Sequence, residues 1–302
     1  YMQQKLVGRG HVQAYTRAMS YIEPTYYIND VVDGIAYFDT LTDLMKNYDE
    51  SYDNLINILN ELAKSIFTKE NLLASFTGSI EGLETFKNGL PKFINNLNEP
   101  VKVVKPFEFI PNQLNEGFKA PYDVQYVALC GNFRKAGLPY TGALQVFQNA
   151  VSTDYLWKNV RVLGGAYGCS CGFRGTGEAF FVSYRDPNLT KTLDVYHEVV
   201  KYIEEFEATP DEMIKYIIGA VGNFDFPLSP ANKGVRSLGA YLNGKTVDDY
   251  KLEKQQIIDA TVEDIKKVLP YIQAVIEQNN ICVIGNEAKV EEAKNIFKET
   301  KM

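Results

Sequence analysis

Residues 156–184 read LWKNVRVLGGAYGCSCGFRGTGEAFFVSY, and their order decides the fold. Trp157, Val160 and Arg161 continue a helix whose apolar face is set by Leu144, Phe147 and Val151. Gly164-Gly165 stops that helix, because glycine accepts the left-handed backbone of a C-terminal cap without a Cβ clash. Residues 166–173 and 178–184 then read as two strands around Gly175-Thr176-Gly177, the pattern of a hairpin. A helix feeding directly into antiparallel strands predicts an α+β chain, with mixed or antiparallel sheet packed on helices.

Working outward toward the C-terminus, Asp186-Pro187 is expected to open a helix whose stripe is Leu189, Leu193, Tyr196, Val200 and Ile203. Thr209-Pro210-Asp211-Glu212 has the form of a capping box, with Thr209 and Glu212 each satisfying a backbone donor of the other. Helices are expected to about Gln278, followed by a buried strand at 281–285 and an amphipathic helix at 288–298. Toward the N-terminus, a strand is expected at 124–130. Pro100, Pro106, Pro111 and Pro121 punctuate a stretch with one strand-like run, 101–104, which reads as an interdomain connection. The first hundred residues read as helical except for an apolar run at 72–78, taken as a buried strand closed by Gly78.

Two strand–Gly–helix segments match at a constant offset: Gly78 with Gly285, Leu83 with Val290, Phe86 with Ala293 and Leu90 with Phe297. The strands preceding the second copy begin near 124, and their counterparts for the first copy would fall before Tyr1. The expectation is therefore a repeat whose first copy is truncated to its helical back half at 1–98. A linker at 99–120 and a complete α+β copy at 121–302 follow.

The chain has 302 residues, 45% of them hydrophobic and 23% charged, which suits a packed core and excludes a disordered or collagen-like chain. A net charge of −7 disfavours a sequence-independent grip on nucleic acid. No apolar run reaches the roughly 18–20 residues that span a bilayer, so no membrane partner is expected and a cytoplasmic or organelle-matrix location is. Four cysteines without a C-x-x-C pair give neither a disulfide framework nor a zinc ribbon. Only two histidines occur, His11 and His197. His197-Glu198 begins like H-E-x-x-H, but Lys201 stands where the second histidine is needed. The inverted H-x-x-E-H fails at Val200 and again at Lys201. No metal site is expected in this chain. Cys169 and Cys171 read as core thiols on one strand face, and Gly8-Arg9-Gly10 and 172–177 as turns.

One segment points to chemistry. Arg161 and Tyr167 flank Gly164, Gly165 and Ala166, small residues that let another backbone approach between a cationic fork and a phenol. Two such donors suit a carbonyl oxygen that gains negative charge in a tetrahedral intermediate.

Arg161-Val162-Leu163-Gly164-Gly165-Ala166-Tyr167-Gly168, preceded by Tyr155-Leu156-Trp157, resembles the C-terminal half of pitrilysin/insulinase-type zinc peptidases, nearest the presequence-peptidase subgroup. The resemblance is strongest from 121 to 206. It implies four homologous α+β domains in two halves that close around an unstructured peptide, with Zn2+ and a glutamate base held in the first domain, outside this sequence. It implies that Arg161 and Tyr167 hydrogen-bond the substrate carbonyl, while Gly164, Gly165, Ala166 and Gly168 shape the loop beside the peptide. The partners implied are a peptide substrate and the N-terminal half of the same peptidase, without which this chain is expected to be inactive. A non-catalytic binding module of the same fold, and an unrelated ferredoxin-like regulatory protein, are the alternative readings.

Overall fold

Strand β2 (Tyr126–Asn132) is buried along its whole length, and the rest of the main unit is organised around it. The computed structural model describes residues 2–99 and 107–301, with the backbone alone for 2–7. It divides into two units: Tyr1–Asp39, Phe109–Asp225 and Lys251–Met302 form the first, Thr40–Glu108 and Phe226–Tyr250 the second.

In the first unit, β2 lies in a six-stranded mixed sheet with β1 (Glu116–Ala120), β3 (Gly168–Phe173), β4 (Glu178–Tyr184), β5 (Asn280–Asn286) and β6 (Glu299–Lys301), in the order β3-β4-β2-β5-β1-β6. β1 runs parallel to β5 and β6, and the other pairs are antiparallel. Side chains alternate across the pleat. Val127, Leu129, Phe181, Ile281 and Val283 therefore enter one core, shared with Leu144, Phe147, Tyr196, Ile203, Ile272 and Val275 from the helices on that face. Tyr126, Ala128, Cys130, Val182, Cys282 and Ile284 enter a second core on the opposite face, under Ala14, Ala18 and Met19 of the helix Met2–Ser20. Both faces being covered, the central strands are apolar almost throughout, as a doubly covered sheet requires.

The helix, stop and hairpin of residues 143–184 form as the sequence leads one to expect, as do the Thr209–Glu212 capping box and the strand through 281–285. The segment Val151–Leu163 is a π-helix rather than α, so its hydrogen bonds close five residues back. The helix expected at Asp186-Pro187 starts at Thr190, because the Asp186 carboxylate is taken by the Asn188 N–H (2.8 Å) and the Thr192 hydroxyl (2.7 Å). The last helix covers Glu287–Glu292, and a single 3₁₀ turn leads on to β6. Gly8-Arg9-Gly10 is a kink inside Met2–Ser20, with Arg9 off helical geometry. At the kink the helix lies directly against the sheet, since a Cβ on Gly10 would overlap the Tyr126 ring.

The boundaries expected at 98 and 121 do not coincide with the structural division. The helix Met2–Ser20 packs on β2, β4 and β5, and the expected linker supplies β1. The strand expected at 101–104 lies outside the described residues.

The second unit contains the helices Tyr48–Ile66, Ile80–Ile94 and Pro230–Leu242, none of which buries a residue. Residues 72–78, expected as a buried strand, form no strand and are largely exposed, Leu73 at 53%. Phe76 stacks on Phe86 with ring centroids 5.3 Å apart, and Thr77 lies against Gly234.

Candidate functional site

The end of the π-helix brings the candidate residues together. The Gly165 N–H donates to the Arg161 carbonyl (2.9 Å) and the Ala166 N–H to the Val160 carbonyl (3.1 Å), closing the last turn. Gly165 has φ +83°, a left-handed conformation that a side chain would strain. Asn188 Nδ2 donates to the Gly164 carbonyl at 2.6 Å, fixing the loop from outside. The Tyr167 N–H donates to the Arg185 carbonyl (3.2 Å), which extends the β3–β4 ladder by one more pair.

Arg161 and Tyr167 are thereby neighbours. The guanidinium carbon of Arg161 lies 4.2 Å from the Trp157 ring centroid and 5.6 Å from that of Tyr167. Stacking on rings occupies the flat faces of a guanidinium and leaves its in-plane N–H donors free. No carboxylate or other hydrogen-bond acceptor among the described residues takes the Arg161 side chain or the Tyr167 hydroxyl. Tyr167 is 66% exposed and Trp157 is exposed beside it. Of the small residues, Gly165 opens to solvent, Gly168 begins β3 and Ala166 is buried, so Ala166 offers a ligand no side-chain surface and serves packing.

Four further aromatic or basic residues join this patch. The Tyr184 ring stands edge-on to Tyr167, with centroids 5.7 Å apart, and the His11 ring edge-on to Tyr184 at 4.8 Å. Tyr126 lies on the same face, 5.7 Å from Tyr184. The Arg185 guanidinium sits 5.5 Å from the Tyr184 centroid. Local sequence gave no reason to single these out. The hairpin register did: with Gly168 opposite Tyr184, Tyr167 must stand opposite Arg185. Burial, and then the nearby charge of Arg9, hold His11 below the ordinary imidazole pKa.

The remaining candidates stay apart from the patch. His197 Nδ1 lies 2.8 Å from the Leu193 carbonyl of its own helix. Cys171 is buried against Ser152, and burial pushes its thiol up to about 12; Cys169 rises for the same reason. All four cysteines are free. Among the described residues, no three His, Cys, Asp or Glu side chains converge as a metal site would require, and no helix is long and apolar enough to cross a membrane.

The family model for the PreP C-terminal domain matches residues 115–287. Protein HypA of Clostridium perfringens is 37% identical over 292 residues, covering 97% of this chain and 30% of that protein. Presequence protease 1 (chloroplastic/mitochondrial) of Arabidopsis thaliana is 28% identical over 296 residues, covering 97% of this chain and 27% of the protease. The chain thus spans under a third of these curated relatives. Among solved structures, an inactive M16 peptidase domain from Pseudomonas fluorescens superposes at a TM-score of 0.47 and 15% identity, covering 68% of this chain and 50% of that one.

Proposed function

The chain belongs to the PreP C-terminal domain family, and from that premise we propose that it is the substrate-facing C-terminal portion of a zinc metalloendopeptidase that degrades unstructured peptides. In this reading zinc and the general base are held by residues outside this chain, in an N-terminal half that closes over the peptide. The exposed apolar stripes of Tyr48–Ile66 and Ile80–Ile94 support the reading of that part of 1–98 as the helical layer of a preceding homologous domain.

One observation carries the reading: Arg161 is a guanidinium stacked between Trp157 and Tyr167, with its donors and the neighbouring Tyr167 phenol unclaimed among the described residues. Stacking fixes the plane of the guanidinium, so its N–H groups are oriented before a ligand arrives. A peptide carbonyl between Arg161 and Tyr167 accepts two hydrogen bonds, and both strengthen as charge develops on its oxygen during attack by water. That difference between ground state and transition state lowers the barrier without proton transfer by either residue. Supplying donors from one half and the electrophilic metal from the other makes chemistry depend on closure, which excludes water and large folded proteins.

The test is steady-state kinetics in the complete natural polypeptide that carries this chain. Arg161→Ala is expected to lower kcat by about 10²–10³, the cost of removing one oxyanion donor. A kcat within about twofold of the parent would overturn the role.

A further inference from the structure

Arg185 follows the last residue of β4 and has φ +48°, a left-handed backbone rarely adopted by arginine. A regular continuation of the strand would send Arg185 to the face opposite Tyr184. Instead its guanidinium lies over the Tyr184 ring at 5.5 Å, and that ring is edge-on to Tyr167 and 5.7 Å from Tyr126. Left-handed backbone at a non-glycine residue is strained and persists where the surroundings enforce it. The enforcing contacts here are the Gln125–Asp186 bridge, in which each N–H donates to the other's carbonyl (2.7 and 2.9 Å), and the acceptance of the Tyr167 N–H by Arg185.

Like Arg161, Arg185 is exposed at the surface or nearly so, stacked on an aromatic ring, and paired with no carboxylate among the described residues. The neighbouring acid, Asp186, is fully buried and committed to Asn188 and Thr192. The two unpaired guanidinium groups are joined by a ladder of three steps: Arg161 to Tyr167 (5.6 Å), Tyr167 to Tyr184 (5.7 Å) and Tyr184 to Arg185 (5.5 Å). An extended peptide advances about 3.3 Å per residue, so each step takes fewer than two residues and the whole ladder at most about five.

We propose that Arg185 is a specificity-determining residue, which binds a carboxylate of the substrate peptide within about five residues of the carbonyl held by Arg161 and Tyr167. The inference rests on the peptide-binding reading of Arg161. Carboxylates are the anions an unmodified peptide offers, and the planar edge of a stacked guanidinium matches them in bidentate geometry. They come either from Asp and Glu side chains or from a free C-terminus. Tyr184 positions Arg185 from below, and its apolar ring keeps water from one face of the pair.

The experiment uses the complete natural polypeptide and one parent peptide with a mapped cleavage site, otherwise free of acidic residues. A single Glu is moved through five positions on each side of the bond and compared with Gln at each, and a parallel set has free or amidated C-termini. One Glu position, or the free C-terminus, is expected to raise kcat/KM about tenfold over its neutral counterpart, the range of a charge-assisted hydrogen bond. The two sets distinguish the two sources of carboxylate. Arg185→Gln is expected to bring that ratio to near one, and Arg185→Lys to restore part of it. Arg161→Ala is expected to slow Glu and Gln peptides alike and keep their ratio. Equal rates for every charged and neutral pair, or a ratio that survives in Arg185→Gln, would overturn the proposal. A normal kcat in Arg161→Ala alongside a ratio lost in Arg185→Gln would instead remove the reading of Arg161 and leave the carboxylate site standing.

Discussion

Arg17 and Arg161 lie in the same unit and are served in opposite ways. Arg17 Nε and Nη2 donate to the two oxygens of Glu116 at 2.6 and 3.0 Å, and Nη1 donates to Asp30 at 2.6 Å. Glu116 is wholly inaccessible and also accepts from the Tyr21 hydroxyl (2.9 Å) and Lys301 Nζ (2.6 Å); Asp30 is equally buried and accepts from the Ile35 N–H (2.9 Å). That network ties the N-terminal helices to β1 and β6. Arg161 has aromatic faces around it and, among the described residues, no acid. A guanidinium whose three nitrogens each donate to a buried carboxylate has little left for a ligand; one held only by its faces keeps its donors. Pairing state, rather than exposure or residue type, separates the structural arginine from the one proposed to meet the substrate.

Arg17→Met should break the structural side of this contrast with the largest effect. It leaves the buried Asp30 without its cation and Glu116 with only Lys301 and the Tyr21 hydroxyl, so unfolding free energy is expected to fall by about 3–5 kcal/mol in denaturant titrations. A loss below about 1 kcal/mol would mean that the network is not held by charge. Acid should probe the same network more gently. Burial alone would raise the Glu116 pKa, but the hydrogen bond and charge of Arg17, with Lys301 and Tyr21, hold it below the ordinary carboxylate value. The unfolded chain therefore binds this proton first, and the stabilisation is present above the ordinary glutamate value, near 4.3, and lost as pH falls through the lower folded value. Stability measured downward from pH 6 should drop in that window, with a smaller drop in Glu116→Gln. An equal drop in both proteins would assign the acid sensitivity elsewhere. The smallest effect is expected of Arg161→Ala on stability, less than about 1 kcal/mol, since only exposed cation–π contacts are lost. A thermal shift as large as that of Arg17→Met would erase the contrast.

How much of this was legible in the sequence follows from how local each feature is. Gly164-Gly165 and Gly175-Thr176-Gly177 fix the helix stop and hairpin through their own backbone, and they place Arg161 beside Tyr167. β1 was hidden because Glu116–Ala120 has no periodicity of its own; pairing with β5 and β6 makes it a strand. The run at 72–78 is the converse case, apolar but without a neighbouring strand among the described residues to complete its hydrogen bonds, and it stays irregular. The π-helix buries Val151, Leu156 and Val160, five and four residues apart, a spacing wider than an α-helical face and too short a run to announce itself. Leu59, Leu62 and Ile66 likewise have a core-like spacing, yet are 52%, 47% and 55% exposed. Periodicity names the face of a helix that is ready to be covered, and only a packing partner covers it. Tyr184 and Arg185 join the site through strand register, a relation between segments rather than a motif.

The division between the two arginines is tested most directly by a structure of the complete natural polypeptide, in a form that binds but does not cut, with an unstructured peptide in place. The account predicts one peptide carbonyl within hydrogen-bond distance, about 2.7–3.2 Å, of both an Arg161 N–H and the Tyr167 hydroxyl, with Arg17 unchanged on Glu116 and Asp30. A peptide whose carbonyls all bind elsewhere, leaving Arg161 and Tyr167 in solvent, would contradict it.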